Sequence, residues 1–417
     1  MIKELMQKLH NSPTPYHAVE VCKQDLIACG YTELIEGQTW QIKPLGKYYV
    51  IKDGSGLIAF CLGDRNLGFN IFASHTDSPA LKLKYNPSTK QAKQYKLNVE
   101  RYGGGLNYTW FDKPLVIAGR IVYLDKVTNC VCSKLVKSDY NVVIPSLAIH
   151  LNRDANTNFA PNVQIDLQPL FAGEDTYKAY EGELIDYDLF LACNQEPFFA
   201  GQNGEYLVSP RLDNLTSAFA SIDALKDLKS HNVALAFMPD NEEVGSSTKQ
   251  GAGGTFLVDT LRKISVLLDN DYDKMLANSF MLSCDNAHAA HPNHLEKSDT
   301  TNIATLNGGV VIKHHANQNY TTDAMSSAVI KYIAKQSNIA IQDSFSRSDV
   351  SCGSTLGAIS SQQLSIRSVD IGLAQLAMHS TSETMGAYDY DKLVNLAKAY
   401  YACSISCNGY DKIEVTF

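Results

Sequence analysis

Gly68-Phe69-Asn70-Ile71-Phe72-Ala73-Ser74-His75-Thr76-Asp77 starts as a largely apolar run and breaks off into a histidine and an aspartate. A short apolar run bounded by polar residues reads as a buried strand. The same grammar recurs downstream. Val233-Ala234-Leu235-Ala236-Phe237-Met238 leads to Asp240-Asn241-Glu242-Glu243, Phe280-Met281-Leu282-Ser283-Cys284 leads to Asp285, and Ser368-Val369-Asp370-Ile371-Gly372-Leu373 is a later run of the kind. Helical patterns lie between them: after Asn214, the residues Leu215, Phe219, Ile222, Leu225 and Leu228 recur every three or four positions and paint one apolar face. Strands alternating with helices predict an α/β sheet. Such sheets bind ligands beyond the carboxyl ends of their strands, so the polar residues that end these runs are site candidates by position alone.

The texture changes between about Tyr85 and Glu205. Gly103-Gly104-Gly105 and β-rich runs such as Leu115-Val116-Ile117-Ala118-Gly119-Arg120-Ile121-Val122-Tyr123 occur there with little helical periodicity. This predicts a mostly β insertion over 86–204 within a discontinuous α/β domain formed by 1–85 and 205–417. No internal repeat or low-complexity tract is visible.

The chain has 417 residues, with 44 Asp+Glu against 36 Lys+Arg and a formal charge of −8. It lacks the basic clusters that neutralise phosphates, so nucleic acid is not an expected partner. Its 45% hydrophobic and 19% charged residues are those of a folded protein rather than a disordered one. No apolar stretch approaches the roughly 18–20 residues that cross a bilayer, so no membrane role is expected. Met1 to His10 alternates charged and apolar residues at helical spacing, unlike a secretory leader. The ten cysteines are dispersed without a CxxC, as reduced thiols of a cytoplasmic protein would be.

Histidines and acids fall where the strand-like runs stop: His75 with Asp77, Asp213 at the start of the amphipathic helix, Glu242 and Glu243, Asp285, and His379 after the last apolar run. A lone His-x-Asp or Glu-Glu pair carries little weight, but five such places form the mixed nitrogen and oxygen donor set of a two-metal hydrolytic site. Two divalent ions about 3.5–4 Å apart need a bridging carboxylate, for which Asp213 is the natural candidate. A base must also take the proton of the attacking water and return it to the leaving amine. Neighbouring side chains diverge, so in Glu242-Glu243 one acid can ligate while the other faces substrate. Asp77 can orient the second ring nitrogen of His75. Asp240 and Asn241 read as turn residues.

The strings Ala73-Ser74-His75-Thr76-Asp77-Ser78-Pro79, Tyr102-Gly103-Gly104-Gly105, Ser209-Pro210-Arg211-Leu212-Asp213-Asn214-Leu215, Asp240-Asn241-Glu242-Glu243-Val244-Gly245-Ser246, Asp285-Asn286-Ala287-His288-Ala289-Ala290-His291-Pro292-Asn293 and Gln375-Leu376-Ala377-Met378-His379-Ser380 together resemble peptidase family M18, the aspartyl aminopeptidase and aminopeptidase I group. The resemblance implies a mixed-sheet α/β/α zinc-peptidase domain interrupted by a mostly β dimerisation, or lid, domain. It implies that His75 and Asp285 hold one metal, Glu243 and His379 the other, and Asp213 both. Glu242 would be the general acid/base, and Asp77 the partner of His75. His150, in Pro145-Ser146-Leu147-Ala148-Ile149-His150-Leu151, matches a histidine that reaches a neighbouring subunit's active site. In Lys313-His314-His315-Ala316-Asn317-Gln318-Asn319-Tyr320, Lys313 and Tyr320 would contact an acidic substrate side chain. The implied activity is removal of the N-terminal residue from peptides with a free N-terminus, with preference for Asp or Glu. The implied cofactors are two divalent ions per subunit, zinc first and manganese or cobalt as alternatives. The implied assembly is a homo-oligomer, with dimers building a tetrahedral dodecamer.

Other readings are weaker. His288, His291 and His294 are spaced by three, but Pro292 breaks any helix that would align them. Gly251-Ala252-Gly253-Gly254 lacks the spacing of a dinucleotide fingerprint and reads as a loop or packing element. No HExxH or GxSxG occurs, which leaves single-zinc proteases of that type and serine hydrolases without support. A broad-specificity aminopeptidase of the same family, a dinuclear carboxypeptidase or deacylase on a related scaffold, and a non-catalytic assembly or cargo protein are the alternatives.

Overall fold

The strands that frame the site are, in chain order, β1 (Phe69–Ala73), β2 (Tyr206–Ser209), β3 (Val233–Met238), β4 (Phe280–Cys284), β5 (Val310–His314), β6 (Arg367–Gly372), β7 (Ala374–Leu376) and β8 (Glu383–Gly386), in a computed structural model that describes residues 1–171 and 183–417. A nine-stranded sheet runs Thr32–Glu33, Lys47–Lys52, Gly56–Cys61, β3, β1, β4, β6, β5, Ile341–Phe345. Its central four strands, β3, β1, β4 and β6, are mutually parallel, so their carboxyl ends emerge along one edge. Gly56–Cys61 on one side and β5 on the other run antiparallel to this centre, which makes the sheet mixed.

Strand alternation distributes the apolar residues to two cores. In β1, Phe69, Ile71 and Ala73 join one core with the helices Phe256–Leu267, Tyr272–Ala277 and Leu356–Leu364. Phe72 joins the other with the helices Ile2–His10, Pro15–Ala28, α1 (Leu212–Leu225), Ala324–Gln336 and Asp389–Ala402. The result is an α/β/α sandwich, as the alternating pattern requires. The one polar member of β1, Asn70, is buried and donates through Nδ2 to the carbonyls of Tyr400 (2.9 Å) and Cys403 (2.7 Å), which pins the end of the last long helix to the sheet. Gly251 lies in a loop so close to the chain that a Cβ there would stand 2.4 Å from the Ser246 carbonyl oxygen; packing explains its glycine.

A separate antiparallel sheet of six strands runs Cys130–Lys137, Leu115–Asp125, Glu183–Cys193, Ala80–Gln91, Gln94–Tyr102, Leu170–Phe171. It has its own core, which includes Leu81, Leu97, Trp110, Ile117 and Leu189. Asp188 accepts from Lys82 Nζ (2.8 Å) and Arg120 Nε (2.9 Å), and Arg120 Nη1 donates to the Asp53 carbonyl (2.9 Å), which ties this sheet to the main body. A third sheet runs Phe198–Ala200, β2, β8, β7, Ala287–His288. No described helix is long and apolar enough to cross a membrane.

Candidate metal centre

Each candidate follows a strand: His75 follows β1, Asp213 follows β2 at the start of α1, Glu242 and Glu243 follow β3, Asp285 follows β4 and His379 follows β7. The structure brings these six together although they come from two different sheets. His75 Nε2 lies 3.6 Å from Asp213 Oδ1 and 3.7 Å from Asp285 Oδ1. His379 Nε2 lies 3.4 Å from Asp213 Oδ2 and 3.3 Å from Glu243 Oε1. Thus the two oxygens of Asp213 serve two different histidines.

The spacing has a simple meaning. Two ligands bound tetrahedrally at about 2.0–2.2 Å from one ion stand roughly 3.4 Å apart, longer than a good hydrogen bond and close to these separations. Asp213 Oδ1 and Glu243 Oε1 are buried without a hydrogen-bond partner, a costly state for carboxylate oxygens unless a cation takes the place. Burial pushes Glu242 up to about 8 and Glu243 up to about 7. His75, Asp213 and Asp285 form one compact ligand group, Asp213, Glu243 and His379 form a second, and His75, Glu242 and Glu243 form a third that overlaps both. The donor set therefore fits a divalent metal.

Outer partners hold these side chains. His75 Nδ1 meets Asp77 twice, 3.1 Å from its backbone carbonyl oxygen and 3.3 Å from Oδ1. The buried Asp77 carboxylate also accepts the backbone N–H of Glu242 on Oδ1 (3.1 Å), and on Oδ2 the N–H of Glu243 (3.2 Å) and the hydroxyl of Tyr102 (2.7 Å). This works because Asn241 takes a left-handed φ of 64°, which Asn tolerates and which turns the next two N–H groups toward Asp77. His379 Nδ1 lies 3.1 Å from the Gly104 carbonyl oxygen, a partner that leaves Nε2 free to ligate. Asn214 Nδ2 donates to the Cys284 carbonyl (2.8 Å) and fastens the start of α1 to β4, and the Asp213–Asn214 peptide bond is cis.

Sequence reasoning missed several members of this shell. Reading Asp240 and Asn241 as turn residues described only their backbone. Asn241 Nδ2 donates to Tyr102 Oη (2.9 Å), and its Oδ1 accepts from Thr248 Oγ1 (2.8 Å) and Gln250 Nε2 (2.9 Å). Asp240 is buried against the same network, where burial first, and then the Asp77 charge, push it up to about 7. Glu383 was not singled out at all: its buried carboxylate accepts the backbone N–H of Asp213 on Oε2 (3.0 Å) and of His379 on Oε1 (2.6 Å). Asp370, also buried, accepts from Ser283 Oγ (2.7 Å), Thr355 Oγ1 (2.6 Å), and the N–H (2.6 Å) and hydroxyl (2.8 Å) of Thr321. It anchors the segments that carry Tyr320 and Cys352.

A cavity of about 520 Å³ opens in front of the cluster, lined among others by Glu242, Asp285, Lys313, Tyr320 and His379. Lys313 is buried, with Nζ 3.8 Å from Asp285 Oδ2 and 4.9 Å from the Tyr320 ring centre. His288, His291 and His294 line the cavity without joining a metal-type ligand group among the described residues. His150 sits exposed in a turn and does not line the cavity of its own chain.

Known proteins resemble this chain over nearly its whole length. The sequence model of the family described as aminopeptidase I zinc metalloprotease (M18) matches residues 8–182 and 174–401. The probable M18 family aminopeptidase 2 of Clostridium novyi (strain NT) is 39% identical over 424 residues, covering 95% of this chain and 98% of that protein. Its counterpart in Ectopseudomonas mendocina (strain ymp) is 37% identical over 423 residues, covering 96% and 98%. Among solved structures, one of the Ape4 and Nbr1 complex superposes with a TM-score of 0.91 at 32% identity over 96% of this chain and 85% of that one. The S. cerevesiae mApe1 dodecamer superposes with a TM-score of 0.84 at 28% identity over 96% of each chain.

Proposed function

The chain belongs to the M18 family of aminopeptidase I zinc metalloproteases, and from that premise we propose a dinuclear metallo-aminopeptidase that prefers acidic N-terminal residues. The enzyme is a peptide-bond hydrolase; what is proposed is the number of ions, their ligands and the preference. The observation that carries the proposal is Asp213, whose two oxygens face two separate histidines while one of them has no hydrogen-bond partner. On this reading His75 and Asp285 hold one ion, Glu243 and His379 the other, and Asp213 both, with zinc as the first expectation and manganese or cobalt as alternatives. When bound, such ions supply Lewis-acid polarisation of the peptide carbonyl and activation of water near neutral pH.

The protein groups do the rest. A carboxylate oxygen of Glu242, on the cavity wall, takes the proton of the attacking water and delivers it to the departing nitrogen. Asp77 fixes the ring of His75 and, through two backbone N–H groups, the placement of Glu242 and Glu243. The acidic lining favours a substrate with a free α-ammonium. Lys313, buried beside Tyr320, faces the cavity as a cation for an aspartyl or glutamyl side chain; its ammonium already donates to the Asn286 carbonyl (3.3 Å) and stands 3.8 Å from Asp285, and an acidic substrate side chain adds a charged partner that a neutral one does not.

Homo-oligomerisation belongs to the same proposal, with dimers assembling into a tetrahedral dodecamer. Support comes from the segment around His150, where Leu147 and Leu151 are 56% and 74% exposed, apolar surface that a second copy would cover. In that assembly the six-stranded sheet is the dimerisation unit, and His150 reaches the partner's cavity. The ten unbridged cysteines fit a reducing cytoplasmic setting.

The test is a panel of free and N-blocked aminoacyl substrates assayed with defined metals, together with metal analysis. The proposal expects turnover of free Asp and Glu substrates above neutral ones, no turnover of blocked ones, and two ions per chain. Turnover of blocked substrates would overturn the aminopeptidase assignment, and one ion per chain the dinuclear one.

A further inference from the structure

The geometry points to the segment Tyr102–Gly105, which leaves the six-stranded sheet, as the outer support of the metal centre, with Tyr102 as its positioning residue. The inference rests on the dinuclear reading above. Tyr102 ends the strand Gln94–Tyr102 and pairs in register with Ala80, so its backbone belongs to the inserted sheet rather than to the catalytic one. Its ring packs edge-on against Phe190 of that same sheet, with centroids 5.7 Å apart and planes at 84°. The phenol's direction is therefore set by the inserted sheet.

The hydroxyl has one proton to give. Asn241 Nδ2 donates to it at 2.9 Å, which commits that proton to Asp77 Oδ2 at 2.7 Å. The Asp77 carboxylate in turn lies 3.3 Å from His75 Nδ1, beside the 3.1 Å contact of that nitrogen with the Asp77 carbonyl oxygen, and accepts the backbone N–H groups of Glu242 and Glu243. One hydrogen bond from the inserted sheet thus bears on three residues of the centre. Two residues further on, the Gly104 carbonyl meets His379 Nδ1 at 3.1 Å and fixes the remaining histidine. Between the two contacts Gly103 has φ +72°, and a Cβ there would come within 3.1 Å of the Glu243 Cβ. A segment with no ligand of its own thereby holds both halves of the ligand set, and Tyr102 does so without lining the substrate cavity. Displacement of the inserted sheet becomes a change in metal affinity.

Tyr102→Phe in the full-length chain tests this. Metal affinity is read by competition with a chromogenic zinc chelator, alongside kcat, KM and the melting temperature of the metal-free protein. Loss of an outer partner of this kind weakens metal binding or turnover about ten- to hundredfold. The expected result is metal binding weaker by at least about tenfold, lower kcat at limiting metal, unchanged KM and an unchanged metal-free melting temperature. Gly103→Ala should weaken metal binding in the same direction through backbone strain and pressure on Glu243. Wild-type metal affinity in Tyr102→Phe overturns the inference, and so does a fall in metal-free melting temperature that accounts for the whole loss, since the hydrogen bond would then serve folding alone. A wild-type chain that binds fewer than two ions removes the dinuclear reading itself; two ions in wild type with an unaffected variant removes only the role of Tyr102.

Discussion

Glu383→Gln exchanges one carboxylate oxygen for an NH2 group at nearly constant volume, in a place where neither oxygen can be spared. Glu383 opens β8 with 2% of its surface exposed, and its two oxygens accept backbone N–H groups from Asp213 (3.0 Å) and His379 (2.6 Å). A hydroxyl partner could rotate and become an acceptor, but a main-chain N–H cannot. Whichever way the Gln amide turns, one of these donors meets an NH2 group. The change loses one charge-assisted hydrogen bond, worth about 1.5–3 kcal/mol, and leaves a buried donor unsatisfied at about 1–3 kcal/mol more. Against this, burial and then the Asp213 carboxylate already push Glu383 well above its ordinary range, so removing the charge relieves part of the cost. The net expectation is about 2–4 kcal/mol, or roughly 30- to 1000-fold in an equilibrium constant, shared between folding and metal binding because the two N–H groups belong to two ligand residues. Thermal melting with and without metal, combined with chelator competition, separates the two shares. The melting temperature should fall in both states and metal binding should weaken. A Gln variant that melts with wild type and holds its metal as tightly would refute the view that both oxygens must accept.

Glu242→Gln should lower kcat about 10²- to 10⁴-fold while metal content, read by elemental analysis, stays near wild type, because the side chain moves protons and the ligand groups remain intact; turnover at the wild-type rate would dismiss it as the acid/base. Lys313→Met should abolish the advantage of Asp and Glu substrates over neutral ones by raising their KM, which steady-state kinetics on paired substrates can measure, and an unchanged preference would remove Lys313 from recognition. Asp188 supplies a pH dependence. Burial raises its pKa, but Lys82 and Arg120 outweigh burial and hold it below 3.8. A carboxylate depressed on folding contributes stability above its unfolded pKa and loses it as pH falls through the folded value, so melting temperature should drop on acidification below about pH 4, and Asp188→Asn should flatten that limb while lowering stability at pH 7. Parallel wild-type and variant melting curves across that range would contradict the argument.

The residues legible in the sequence were those whose chemistry coincided with a punctuation mark in the chain. His75, Glu242, Glu243 and Asp285 each follow a run of five or six residues long and apolar enough to announce a buried strand. Asp213 was announced by the helix it opens. Glu383 had no such signal: it begins a four-residue strand instead of ending one, and it acts through backbone groups of residues that are distant in sequence. The sheet that delivers Asp213, Glu383 and His379 was equally hidden, since strands of two to four residues are too short to display a period. Asp240 and Asn241 looked like a turn because their backbone is one; only the fold brings Tyr102 to Asn241, across 139 positions. The α/β class was readable from alternation and the mixed α/β/α architecture from the family resemblance, whereas the order β3, β1, β4, β6 depends on pairings between segments far apart in the chain.

That order in space has a consequence in time. The first ligand, His75, leaves the ribosome early, but its partner across Asp213, His379, is added when 379 of the 417 residues have been made. Synthesis at about 5–20 residues per second puts many seconds between them. Until then the nascent chain lacks one of the six side chains that the folded cluster brings together, and Asp213 Oδ2 and Glu243 Oε1 lack the histidine that stands 3.4 and 3.3 Å from them in the folded protein.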